Sequence, residues 1–165
     1  MKDIIVCDLD GTLANCEHRV HHIQRVGGSG LKRKPDWDAF YAGVRGDTVN
    51  GAVKALLDNM LYYDELLDYK HDLIFCSGRP ERCRDDTVLW LREEVGYRED
   101  SYTLFMRKDG DFRADYIVKE EILNDPEQLG PYKDRILFVL DDRQQVVDMW
   151  RRNGLTCFQV APGDF

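Results

Sequence analysis

Residues 3–12 read DIIVCDLDGT, and this stretch decides the fold. Asp3–Asp8 is a short, nearly continuous apolar run, the pattern of a central parallel strand covered on both faces. It runs into Asp8, Asp10, Gly11 and Thr12. Two more runs repeat the design. Asp72–Cys76 (DLIFC) is followed by Ser77-Gly78-Arg79-Pro80, and Arg135–Leu140 (RILFVL) by Asp141-Asp142-Arg143. Tyr102–Met106 and Leu155–Val160 complete five expected strands.

Between them the apolar period changes to that of helices. Val49, Val53, Leu56, Leu57, Met60 and Leu61 place one helix over Val49–Tyr69, and Val88, Leu91 and Val95 a second over Glu81–Val95, stopped by Gly96. Tyr116–Leu123 and Arg143–Asn153 are further helices, with a short one around Asp36–Tyr41. The glycines of VGGSGLKRKP (Val26–Pro35) indicate a loop. Such alternation predicts an α/β fold: a doubly wound, Rossmann-like, mainly parallel sheet with right-handed crossovers and helices on both faces. Its 165 residues suit one domain over 1–165.

The composition, 43% hydrophobic and 33% charged, is that of a globular protein. No apolar run approaches the roughly 20 residues of a membrane-spanning helix, and the N-terminus reads as a strand rather than a leader peptide. Five scattered cysteines without a C-x-x-C pair fit a reducing, cytoplasmic setting. A net charge of −8 argues against broad binding along a nucleic-acid backbone, yet leaves room for a local basic pocket that grips one phosphate.

In open α/β sheets ligands bind beyond the carboxyl ends of the strands. Three strands here deliver Asp8, Asp10, Asp141 and Asp142, the Ser77 hydroxyl and two arginines to that edge. Clustered carboxylates need a cation, and an all-oxygen set selects a hard one such as Mg2+. Asp8 is ionised at neutral pH and can attack phosphorus, and Asp10, brought round by a turn at Gly11, can protonate the leaving oxygen and then take a proton from water. Each motif alone has a plainer reading: a surface turn for DLDGT, an ordinary strand-to-helix turn for SGRP, N-caps for Asp141-Asp142. Their joint occurrence after three apolar strands favours chemistry.

Taken together, DLDGT, SGR, Lys119 in VKEE, and LDDR resemble the four motifs of the haloacid dehalogenase superfamily. DGDFRADYIVKEEI (Asp109–Ile122) and Leu140–Phe165 further resemble the 3′-phosphatase domain of phage polynucleotide kinase-phosphatases. The resemblance implies a haloacid dehalogenase-like fold with a small cap or none. It also implies an Mg2+-dependent phosphatase that removes a 3′-terminal phosphate from DNA or RNA through an aspartyl-phosphate, for repair or ligation. Position by position, Asp8 is the implied nucleophile, Asp10 the general acid/base, Ser77 a phosphate hydrogen-bonder and Lys119 the bridge between phosphate and nucleophile. Thr12, Arg19, Gly78, Arg79 and Asp115 form the implied substrate-binding set. Asp142, the Asp8 side chain and the Asp10 backbone carbonyl form the implied metal set, with Asp141 beside them. No G-x-x-x-x-G-K-[ST] motif occurs, so the kinase domain of those proteins is not expected in this stretch, and the resemblance implies a separate kinase or ligase as a candidate partner.

Two alternatives stay open: a phosphatase of free nucleotides, and a non-catalytic binding module. Other features are read conservatively. His18, His21 and His22 form a solvated helix face, and Trp37, Phe40 and Tyr41 the packing stripe of a helix. Arg107 and Arg113 are expected in solvent, Asp115 and Lys119 have the spacing of a plain ion pair, and Cys7 is a buried hydrophobe.

Overall fold

A computed structural model describes residues 3–24, 34–62 and 71–163. Five parallel strands form the central sheet in the order β5-β4-β1-β6-β7: β1 (Ile4–Cys7), β4 (Asp72–Pro80), β5 (Thr103–Arg107), β6 (Ile136–Asp141) and β7 (Cys157–Gln159). β1 is fully buried at the centre, which explains its uninterrupted apolar sequence. One face of the sheet packs Ile5, Cys7 and Phe75 against Val53 and Leu57 of α3 (Gly51–Leu61) and Trp90 of α4 (Arg84–Trp90). The other packs Ile4, Val6, Ile74 and Cys76 against Val118 and Ile122 of α5 (Asp115–Asn124) and Val147 and Trp150 of α6 (Gln144–Arg152). The doubly wound reading holds.

Several boundaries moved. The second strand does not break at Ser77 but continues to Pro80, its register against β5 shifting between Ser77 and Pro80, so the SGR motif sits within the strand. The helix after it starts with a 3-10 turn, Glu81–Cys83, and ends in a π turn, Leu91–Val95, closed by Gly96 in the left-handed region. Residues 63–69 of the expected long helix, and 26–33 of the expected loop, lie outside the described residues, and Leu56, expected on that helix's packed face, is exposed.

Between β1 and α3 stands an element the periodicity did not reveal, a two-residue antiparallel ribbon of β2 (Ala14–Asn15) and β3 (Thr48–Val49). The helix face expected from His18, His21 and His22 is shorter than their spacing suggests: α1 (Glu17–Val20) carries His18 alone. The short helix expected around Asp36 is α2 (Trp37–Ala42), capped by the Asp36 carboxylate accepting from the Ala39 amide. Among the described residues no helix is long and apolar enough to cross a membrane, and all five cysteines are free and buried.

Candidate active site

The parallel sheet brings the ends of β1, β4 and β6 to one edge, and α5 covers it from the side. After Cys7 the chain leaves β1 in a tight turn: the Thr12 and Ala14 amides both donate to the Leu9 carbonyl, at 3.1 and 2.8 Å. Gly11 makes this possible with φ +86°, a conformation costly for any side chain. Asp8 thus stays buried at the strand end, while Asp10 emerges half-buried across the turn.

Two charged clusters flank this turn. In the first, the buried Lys119 ammonium from α5 lies 2.8 Å from Asp8 Oδ1, 3.0 Å from Asp141 Oδ2 and 3.3 Å from Asp115 Oδ2. Asp141 also accepts from the Trp150 indole, at 3.2 Å, and from the Arg143 amide, at 3.3 Å. Asp142 accepts from the Thr12 hydroxyl at 3.4 Å through Oδ1, while its Oδ2 is buried with no partner. Oxygens of Asp8, Asp141 and Asp142 all lie within 4.8 Å of one another. A buried carboxylate oxygen left unsatisfied beside two more carboxylates fits a hard cation, which would complete its coordination.

Electrostatics agree. Burial pushes the Asp8 carboxyl well above the usual range, Asp141 and Asp142 adding to the effect and Lys119 opposing it. Burial and Asp141 raise Asp142 to about 6. An unfolded aspartate titrates near ~3.9. In the metal-free protein the contribution of Asp142 to stability is therefore full below about pH 4 and is lost as pH rises through its folded value. A cation that binds the ionised form offsets that loss. The rise in melting temperature on adding Mg2+, against EDTA, should therefore be larger at pH 7.5 than at pH 5.5. Scanning calorimetry at the two pH values checks this, and an Mg2+ response absent from both would contradict it.

The second cluster surrounds Asp10. Its Oδ1 accepts from Arg79 Nε at 2.9 Å and Nη2 at 2.5 Å, and from Arg19 Nη2 at 2.5 Å. Both guanidiniums are buried, and both also hold Asp47: Arg19 Nε at 2.6 Å and Arg79 Nη2 at 2.7 Å. The Asp47 backbone is fixed by the Trp90 indole donating to its carbonyl at 2.8 Å, and its side chain by His18 Nε2 at 3.0 Å. Burial alone would raise Asp10, but Arg79 and Arg19 outweigh it and hold the carboxyl below the ordinary range. Asp10 is thus a carboxylate locked by two arginines, which in turn are locked by Asp47. Sequence reasoning missed Asp47; a lone acid after a glycine carries no distinguishing signal.

Asp8 and Asp10 open into a cavity of about 380 Å3 lined also by Trp37, Tyr41, Gly78, Arg107, Phe112, Asp115 and Arg143. Arg79, Arg19, Ser77 and Lys119 stand behind its wall, with the Ser77 hydroxyl accepting from the Arg79 amide at 3.3 Å. Thr12 and Asp142 border a neighbouring cavity of about 580 Å3. Gly78 comes so close to Asp115 that a Cβ would collide with its carboxylate. Asp115 is more than the ion-pair partner of Lys119, since it also accepts from Arg107 Nη2 at 3.0 Å. Arg107, expected in solvent, is buried and donates to the carbonyls of Gly78, Asp111 and Arg113. It ties β4 to the loop before α5. Arg113 is exposed, forked onto Asp111 and Glu121.

Comparison with known proteins gives concordant results. The family described as "Polynucleotide kinase PNKP phosphatase domain" matches residues 2–165. A protein of Autographa californica nuclear polyhedrosis virus, described as a bifunctional polynucleotide kinase/RNA ligase, is 36% identical over 149 residues, which is 89% of this chain and 17% of the viral protein. Among solved structures, a chain of the Pnkp1/Rnl/Hen1 RNA repair complex superposes with a TM-score of 0.72 at 32% identity, over 99% of this chain and 44% of that one. A haloacid dehalogenase-like family hydrolase of Streptococcus pneumoniae superposes with a TM-score of 0.60 at 13% identity, over 95% of this chain and 83% of that one, a likeness of fold. The chain spans under half the length of the viral and repair-complex proteins it matches.

Proposed function

Because the chain belongs to the polynucleotide kinase PNKP phosphatase-domain family, a branch of the haloacid dehalogenase-like hydrolases, we propose that it removes the 3′-terminal phosphate from DNA or RNA ends. The observation that carries this reading is Asp8: a carboxylate at a buried strand end, 2.8 Å from a buried ammonium and beside a carboxylate oxygen with no partner.

In the first step an Asp8 oxygen forms a bond to phosphorus as the bond to the 3′ oxygen breaks and that oxygen takes a proton from Asp10. Lys119 favours the ionised form of Asp8 that must attack and, bound also to Asp141, keeps its orientation. In the second step water attacks the phosphorus of the aspartyl-phosphate, Asp10 takes the proton, and phosphate leaves with Asp8 restored. The arginine pair holds Asp10 in the charged form this second role requires. For the first role it must arrive protonated, so phosphate entry would have to loosen its hold. Mg2+, held by Asp8, Asp142 and the Asp10 carbonyl with Asp141 adjacent, would draw negative charge from the approaching phosphate.

The relatives' printed names concern kinase, ligase and RNA repair functions, and support a setting of end repair in which a ligase uses the 3′-hydroxyl produced here and a kinase acts beside it. An end-group assay tests the reading. With Mg2+, a 3′-phosphorylated oligonucleotide should be converted to its 3′-hydroxyl form with kcat/KM well above that on nucleoside 5′-monophosphates. Preference for the monophosphates would mean a small-molecule nucleotidase instead.

A further inference from the structure

The aromatic stripe Trp37, Phe40 and Tyr41 is only partly what helix packing requires. Phe40 is buried, its ring under the Arg19 guanidinium at 4.1 Å from the centroid. All three rings line the cavity that contains Asp8 and Asp10, but Tyr41 is only half-buried and Trp37 is exposed. The Trp37 and Tyr41 rings stack, with centroids 5.9 Å apart and planes inclined by 25°, and Arg82 lies over Tyr41 at 5.7 Å. Trp37 keeps 36% of its surface exposed. From a different segment, the loop between β5 and α5, Phe112 reaches the same cavity with 81% of its surface exposed, the most of any large apolar residue among those described.

Scattered exposed apolar residues are ordinary. Two aromatic rings brought by separate segments to the mouth of a cavity that holds the nucleophile are a different matter, since they stay wet only while nothing occupies it. Every nucleobase has a face that such rings can cover, and stacking of this kind tolerates any base. The cavity, about 380 Å3, is at the small end of ligand sites, which run from roughly 300 to 1,000 Å3. A duplex end keeps its terminal base stacked and paired, so its face must first be freed before an aromatic side chain can cover it. Arg82, Arg107, Arg113 and Arg143 line the same cavity beside Asp8, Asp10, Asp111 and Asp115, so an incoming phosphodiester would share guanidiniums such as Arg82, Arg107 and Arg113 with the carboxylates they now bind.

We infer that Trp37 and Phe112 form a stacking subsite for the unpaired base of the 3′-terminal nucleotide, so that the enzyme selects single-stranded ends that carry a base. This inference rests on the proposed 3′-end reading.

The test compares two single-stranded 3′-phosphorylated oligonucleotides, identical except that one ends in an abasic tetrahydrofuran residue, in the wild type and in Phe112→Ala, Phe112→Leu and Phe112→Tyr. The wild type should prefer the base-bearing end, and should cut a blunt duplex end less well than the single strand. Phe112→Ala should lower the ratio of kcat/KM values on the two ends by roughly fivefold or more, as loss of one stacking contact implies. Phe112→Tyr should restore it where Phe112→Leu does not, separating a π-face from mere bulk. Because the ring is largely in water, the variants should melt as the wild type does, which excludes misfolding as the cause of a changed ratio. A wild-type ratio near one, a ratio unmoved by Phe112→Ala, equal rescue by leucine, or blunt ends cut as well as single strands would each overturn the subsite. Wild-type inactivity on both 3′ ends, alongside Asp8-dependent hydrolysis of another phosphate monoester, would instead overturn the 3′-end reading, and the subsite with it.

Discussion

Asp8→Asn is expected to lower kcat at least about a thousandfold on any phosphate monoester, with the fold intact. The amide has nearly the same shape as the carboxylate but no charge with which to attack phosphorus. The change also takes one of three carboxylates from the buried Lys119 ammonium, leaving Asp141 and Asp115 at 3.0 and 3.3 Å. Lys119 thus remains compensated. Burial and the neighbouring acids already push the Asp8 carboxyl upward, so neutralising it relieves repulsion within the cluster. The melting temperature should hold or rise while turnover is lost, a split that packing damage would not produce. Activity surviving the substitution would mean another nucleophile, and a wild type without activity on any phosphate monoester would favour the binding module. Phosphate release and thermal melting on the same sample are the measurements.

Asp47→Ala should give the largest loss of stability of any single change near the site. Two buried guanidiniums depend on this carboxylate, Arg19 at 2.6 Å and Arg79 at 2.7 Å. Without it Asp10 alone faces both. Removing one partner from a buried ion pair costs about 3–5 kcal/mol, because the remaining charge stays desolvated. In a domain of this size that corresponds to a fall in melting temperature of roughly 10 °C. Asp10 would also lose its fixed position, and a displacement of about 1 Å in a catalytic group costs on the order of a hundredfold in rate. A variant that melts within about 2 °C of the wild type would show that solvent reaches the arginines more freely than their burial indicates.

These residues show what a sequence can and cannot disclose about such a site. Asp8, Ser77 and Asp142 were legible because each follows an apolar run, and a buried parallel strand has few other ways to be written. Parallel pairing then fixes which edge they share. Asp47 was not legible: its partners lie 28 and 32 residues away, and nothing local distinguishes it from a loop acid in water. Arg107 was misjudged for a related reason. A terminal strand residue looks exposed until the loop before α5 folds back and surrounds its guanidinium with carbonyls. Trp37, Phe40 and Tyr41 share one helical spacing and all line the cavity, yet burial divides them: Phe40 is buried under the Arg19 guanidinium and Trp37 is exposed. The β2–β3 ribbon, two residues per strand, is too short to carry any period.

In the proposed reaction phosphorus passes through Asp8. The direct measurement is to quench the enzyme during turnover of a 3′-phosphorylated oligonucleotide with borohydride, which reduces an acyl phosphate to the alcohol, and to map the modified peptide by mass spectrometry. Homoserine at position 8, absent without substrate, is the predicted result. Homoserine at another position, or an unmodified Asp8 in enzyme shown by chemical quench to carry covalent phosphate, would contradict it.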